Sequence, residues 1–114
     1  MKLHTQKYND VLLIQMEGEI MGGVESEQFR NTLYTSIEDD VVNFVVDMAK
    51  ATWMNSSGLG MLISGLTTAR SSGGDLRLVN LSERIRRPLE ITKLETVFLT
   101  YNSIEEAVNS FQGK

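Results

Sequence analysis

The 114-residue chain contains no cysteine, which excludes disulfide bonds, thiolate metal sites and cysteine nucleophiles together. Its only histidine, His4, lies near the N-terminus and reads as an incidental surface residue, so a catalytic serine would lack the usual base. Basic charge is also scarce. Lysines and arginines number 11 against 15 aspartates and glutamates, a net charge of −4. That balance lacks the electrostatic footprint of a nucleic-acid binder and the polybasic patch of a protein drawn to anionic lipid. The one basic concentration, Arg84, Arg86 and Arg87, reads as a solvated helix face. Long apolar runs are missing as well: V-V-N-F-V-V at 41–46 falls far short of the roughly 20 residues that span a bilayer. The first ten residues have no apolar h-region, so no secretory leader is expected there. A cytoplasmic location without direct membrane insertion is the expectation.

What is present is an ordinary globular composition, 41% hydrophobic, in a length that suits one domain over 1–114. V-L-L-I-Q-M at 11–16 reads as a strand after a weaker candidate near 2–8. Phe29, Leu33 and Ile37 recur at helical spacing after the Gly22-Gly23 pair, with Glu25 and Glu27 in the first turn where the helix dipole favours acids. V-V-N-F-V-V-D at 41–47 is a nearly continuous β-branched run, the mark of a strand covered on both faces. Leu59, Leu62, Ile63, Leu66 and Ala69 make the apolar stripe of a helix over 57–72, and Gly73-Gly74 stop it. L-R-L-V at 76–79 is a further strand. A third helix starts at Ser82, with Pro88 predicting a kink or a late start. V-F-L-T-Y at 97–101 reads as a last strand, and Ser103 with Glu106 caps a closing helix. Strands alternating with helices predict an α/β fold: a central mixed, mostly parallel sheet of four to five strands, antiparallel at its N-terminal edge, flanked by about four helices.

The informative stretch is W-M-N-S-S-G-L-G-M-L-I at 53–63. A nucleophile elbow would need glycine where Asn55 stands, and a dinucleotide fingerprint from Gly58 would need glycine where Ile63 stands. No lysine follows a glycine loop, and no carboxylate pair is marked out for acid–base work. The chain does not read as an enzyme, and no cofactor or metal is expected. Asn55, Ser56 and Ser57 are good helix caps, each worth about 1 kcal/mol at most positions. One cap suffices, though, and three polar residues come in succession. Gly58 and Gly60 each cost up to about 1 kcal/mol inside a helix. Small residues there permit close approach of another molecule, or of a phosphate at the positive end of the helix dipole. Capping alone and capping with function both remain open on these grounds. Met21, Met48, Met54 and Met61 cluster near this stretch, as core filling or as an adaptable contact surface, and Trp53 reads as a buried anchor beneath it.

The run D-M-A-K-A-T-W-M-N-S-S-G-L-G-M-L at 47–62 resembles the signature of STAS domains, particularly the bacterial anti-sigma-factor antagonists. The likeness extends to G-E-I at 18–20, G-G-D-L-R-L-V-N at 73–80 and the closing V-F and Y-N-S-I-E-E-A-V segments. It implies a sheet flanked by helices in a protein that is a monomer when free. It also implies partner switching. The unphosphorylated antagonist binds an anti-sigma factor that is also a serine kinase and so frees the sigma factor. The kinase phosphorylates the second serine of S-S-G, here Ser57, and a cognate phosphatase reverses this. Asn55, Ser56, Ser57, Gly58, Met61 and Met21 are the candidate partner-binding residues. Two of these positions depart from the pattern: Asn55 stands where many members carry aspartate, as does Met21 after G-E-I. These departures motivate an alternative, a STAS scaffold subunit of a stressosome-like or lipid-transport complex without a phospho-switch. A third reading, a nucleotide-binding domain, rests only on the glycines at the helix start.

Overall fold

The computed structural model describes residues 1–112, which form strands β1 (Lys2–Tyr8), β2 (Val11–Ile20), β3 (Asn43–Met54), β4 (Asp75–Val79) and β5 (Thr100–Tyr101) and helices α1 (Val24–Glu38), α2 (Ser56–Ser71), α3 (Glu83–Ile91) and α4 (Ile104–Ser110). The strands lie in the sheet in chain order, β1-β2-β3-β4-β5. β1 and β2 are an antiparallel hairpin whose loop residue Asn9 takes φ 56, a left-handed conformation that asparagine accepts. From β2 to β5 every pairing is parallel.

Strand order dictates where the helices go. Right-handed crossovers between successive neighbours all cover the same side of a sheet. Phe29 and Leu33 of α1, Leu62 and Leu66 of α2, and Ile85 and Leu89 of α3 accordingly share one core with Ile14, Phe44, Val46, Leu76 and Leu78. α4 follows the last strand and is free to fold under the other face, where Ala107 and Val108 meet Val11, Leu13, Val45 and Val79. The pleat divides the β-branched run as expected: Phe44 and Val46 face one layer, Val45 the other, and all three are fully buried.

β3 runs well past the apolar stretch that announced it. Its pairing with β2 slips twice, from Gln15↔Asp47 to Glu17↔Lys50 and from Gly18↔Ala51 to Glu19↔Trp53, so β3 carries an extra residue at each place. Asp47 holds the first bulge. Its Oδ1 accepts from the Ala49 amide at 3.0 Å and from Asn80 Nδ2 at 2.9 Å, and its Oδ2 accepts from Gln15 Nε2 at 3.0 Å. A carboxylate only 5% exposed is thereby satisfied on both oxygens, and it ties β2, β3 and the end of β4 together.

Two expectations need adjustment. The strand foreseen at 97–101 is only Thr100–Tyr101. Val97 ends a turn over 94–97 closed by its amide on the Leu94 carbonyl, Phe98, 3% exposed, plugs the core, and the Leu99 carbonyl accepts from the Leu78 amide at 3.0 Å. Of the two outcomes foreseen for Pro88, a kink or a late start, the late start does not occur: Ser82 precedes α3 and Glu83 opens it, with Pro88 inside. Of α1, α2 and α3, glycine ends α2 alone, but all three end alike. After α2, α1 and α3, the amide pairs Gly73/Gly74, Asp40/Val41 and Lys93/Leu94 each bond back in the Schellman pattern, although Asp40 and Lys93 must take φ 65 and φ 61.

Candidate functional site

α2 begins where β3 ends. Asn55 is extended, with φ −99 and ψ −177, and its Oδ1 accepts from the Gly58 amide at 2.8 Å. Its own amide donates to the Ile20 carbonyl at 3.2 Å, which pins the helix start to the end of β2. Of the amides that a helix start leaves over, those of Ser56 and Ser57 then have no acceptor among the described residues. They lie at the positive end of a 16-residue helix, beside two exposed serine hydroxyls. Asn55 is half-buried, Gly58 buried.

The glycines around this start are of two kinds. A β-carbon at Gly58 would come within 2.1 Å of the Ile20 carbonyl oxygen, so the close seating of α2 on β2 requires glycine there. Gly22, at φ +80 in the β2–α1 turn, is just as constrained: a β-carbon on it would sit 2.9 Å from the Ser57 β-carbon. Ser57 is therefore backed by bare backbone. Gly60 is different, because a β-carbon there would meet nothing within 4 Å. The fold does not need it.

The candidate residues separate accordingly. Asn55, Ser56, Ser57 and Gly58 form one continuous corner, and Gly22 brings Met21, 43% exposed, to its border. Met61 does not join this surface. It is 5% exposed and packed in the core with Met48 and Met54, reaching outward only as part of the floor of a groove of about 210 Å³ between α1 and α2. The groove is also lined by Phe29, Arg30, Gly60 and Ser64. Trp53 overturns its expectation: it is 44% exposed rather than a buried anchor, because β3 stays in the sheet to Met54 and it is Met54 that turns inward. Val24, 87% exposed beside the glycine turn, went unread as a surface residue. The signal was available, since Val24 falls off the Phe29, Leu33, Ile37 spacing.

Among the described residues no group of His, Asp and Glu side chains is placed to hold a metal ion, and no helix is long and apolar enough to cross a membrane. Residues 2–107 match the STAS domain family model. A Thermotoga neapolitana protein, provisionally named an anti-sigma factor antagonist homolog, is 36% identical over 61 residues, covering 54% of this chain and 54% of that one. The anti-sigma-B factor antagonist of Bacillus subtilis is 28% identical over 92 residues, covering 81% of this chain and 82% of its own. In three dimensions the anti-sigma factor antagonist SpoIIAA in its unphosphorylated form superposes with a TM-score of 0.77 at 20% identity, over 99% of this chain and 100% of its own. The phosphorylated form of this Bacillus protein superposes with a TM-score of 0.74 at 20% identity, over 96% and 99% of the two chains. Sheet order, helix placement and the family match agree: the chain belongs to the STAS domain family.

Proposed function

We propose that the chain is an anti-sigma-factor antagonist that works by partner switching at the start of α2. Unphosphorylated, it binds an anti-sigma factor that is also a serine kinase, and the sigma factor is released. Phosphorylation of Ser57 abolishes that binding, and a cognate phosphatase restores it. The role is one of binding, not catalysis, and is set in the cytoplasm. The observation that carries this reading is the setting of Ser57: an exposed hydroxyl at a helix start, next to two unengaged amides and backed by Gly22. Relatives named as antagonists, and the solution of a structural relative in both phosphorylation states, support it.

The electrostatics make the switch local. A phosphate adds about −1.5 to −2 charge. At the N-terminus of α2 the dipole and the Ser56 and Ser57 amides favour such a group, so modification leaves the fold intact. The cost falls on the interface, where a surface shaped for a hydroxyl must exclude water from a doubly charged group. A penalty of roughly 3–4 kcal/mol weakens binding about 100- to 1,000-fold. Met21 and Val24 supply the apolar fringe against which a partner packs, and Met61 acts from beneath as the floor of the adjoining groove.

The test is a binding titration of the anti-sigma factor with wild type, Ser57→Ala and Ser57→Asp. Retained binding by the alanine variant and loss by the aspartate variant is the expected pattern. Equal binding by both would sink the switch.

A further inference from the structure

α3 has two sides. Ile85 and Leu89 are buried in the core, while Arg84, Arg87, Pro88 and Ile91 recur at helical spacing on another face. That second face meets Trp53 at the end of β3, and the five residues line an open recess of about 420 Å³. Trp53 is 44% exposed and Ile91 73% exposed, so the lining offers uncovered apolar surface next to two exposed guanidinium groups. Arg84, Arg86 and Arg87 form no ion pair among the described residues, whereas Arg70 and Arg77 both share Asp75. The recess includes none of the residues at the start of α2.

From this we infer that the Trp53–α3 recess is a second docking surface, for an acidic protein segment that places one apolar side chain between carboxylates. The apolar lining takes the anchor. Arg84 and Arg87 at the rim take the acids, guanidinium being suited to paired contacts with carboxylate. Tryptophan and arginine are also the side chains that most often carry binding energy at protein interfaces. An anionic bilayer fits less well. The apolar side of the nine-residue α3 is already spent in the core, so α3 has no broad apolar face left to lie in a bilayer. Engagement here does not involve Ser57 and is independent of its phosphorylation.

Trp53 is the only tryptophan of the chain, so its fluorescence reports on this recess alone. The full chain is titrated with a synthetic peptide bearing glutamates on both sides of a single central leucine. Controls are the same peptide with lysines for glutamates, and vesicles of phosphatidylglycerol and phosphatidylcholine. A saturable blue shift with the acidic peptide is expected. It should weaken tenfold or more in Arg84→Glu/Arg87→Glu and stay unchanged in Ser57→Asp. Both arginines are exposed, and a circular dichroism spectrum verifies that the double variant is folded. No shift, an equal shift with the lysine peptide, a larger shift with vesicles, or indifference to the double substitution each overturns the assignment. Loss of the shift in Ser57→Asp would refute its independence from the switch. The switch itself is read from the anti-sigma-factor titration and stands or falls separately.

Discussion

Alanine at Gly58 and alanine at Gly60 should move stability in opposite directions, though both replace a glycine near the start of one helix. At Gly58 the new β-carbon would lie 2.1 Å from the Ile20 carbonyl oxygen and 2.8 Å from its carbon. Relief requires the helix start to move off β2 by about 1 Å, because a carbon–oxygen contact needs more than 3 Å. That movement strains the bond from the Asn55 amide to the same carbonyl, now 3.2 Å. Overpacking costs about 1–3 kcal/mol and the weakened hydrogen bond about 1 kcal/mol, while helix propensity returns about 1 kcal/mol. The net loss is about 2 kcal/mol. At Gly60 the β-carbon meets nothing within 4 Å, and propensity alone acts, for a gain of up to about 1 kcal/mol. In a domain of this size 1 kcal/mol corresponds to about 4 °C in Tm. Thermal denaturation followed by far-ultraviolet circular dichroism should therefore place Gly58→Ala about 8 °C below wild type and Gly60→Ala up to about 4 °C above it. A Gly58→Ala protein as stable as wild type would refute the close seating of α2 on Ile20. A destabilised Gly60→Ala protein would refute the claim that the fold leaves that position free.

Asp47→Ala should cost about 2–4 kcal/mol in urea denaturation, since it leaves the Ala49 amide, Asn80 and Gln15 without their shared acceptor. Lys93→Gly should stabilise by about 0.5–1 kcal/mol, the gain from relieving a left-handed residue at φ 61, read as a higher urea midpoint with an unchanged slope. Arg77→Lys should cost about 1 kcal/mol by the same assay. The guanidinium lies 4.0 Å from the Phe111 ring centroid and bonds Asp75 and Ser110, a geometry that an ammonium does not reproduce. Asn55→Asp keeps the cap acceptor and adds charge at the helix start. It should stabilise the unmodified protein by about 0.3–1 kcal/mol but narrow the gain from a phosphate on Ser57, an effect visible by melting both forms of both proteins.

The layout of the fold was legible because most elements announce themselves locally. Phe29, Leu33 and Ile37 keep helical spacing, Gly73-Gly74 stop α2 where expected, and Ser103 accepts from the Glu106 amide at 3.1 Å as its spacing foretold. What escaped was set by distant partners. The second half of β3, A-K-A-T-W-M, is polar and mixed; it is a strand because Glu17 to Ile20 pair with it across two bulges. V-F-L at 97–99 has every local mark of a strand, yet Val97 closes a turn and Phe98 is taken by the core before the chain reaches β5. The same limit held at the site. The cap and the run of small residues could be read from N-S-S-G, but the reason for Gly58 lies at Ile20 and the reason for Gly22 lies at Ser57. Neither contact leaves a trace in the spacing along the chain.

Because each strand lies beside the one that precedes it in the chain, no strand waits for a later segment before it can pair. Every closure joins neighbouring segments, and the entropy lost in each grows only slowly with loop length. A chain built in this order can add one strand and one helix at a time as it leaves the ribosome, covering β3 from one edge with β2 before β4 arrives at the other. The corner made from the ends of β2 and β3 and the start of α2 is then complete before β4 and the Trp53–α3 recess exist.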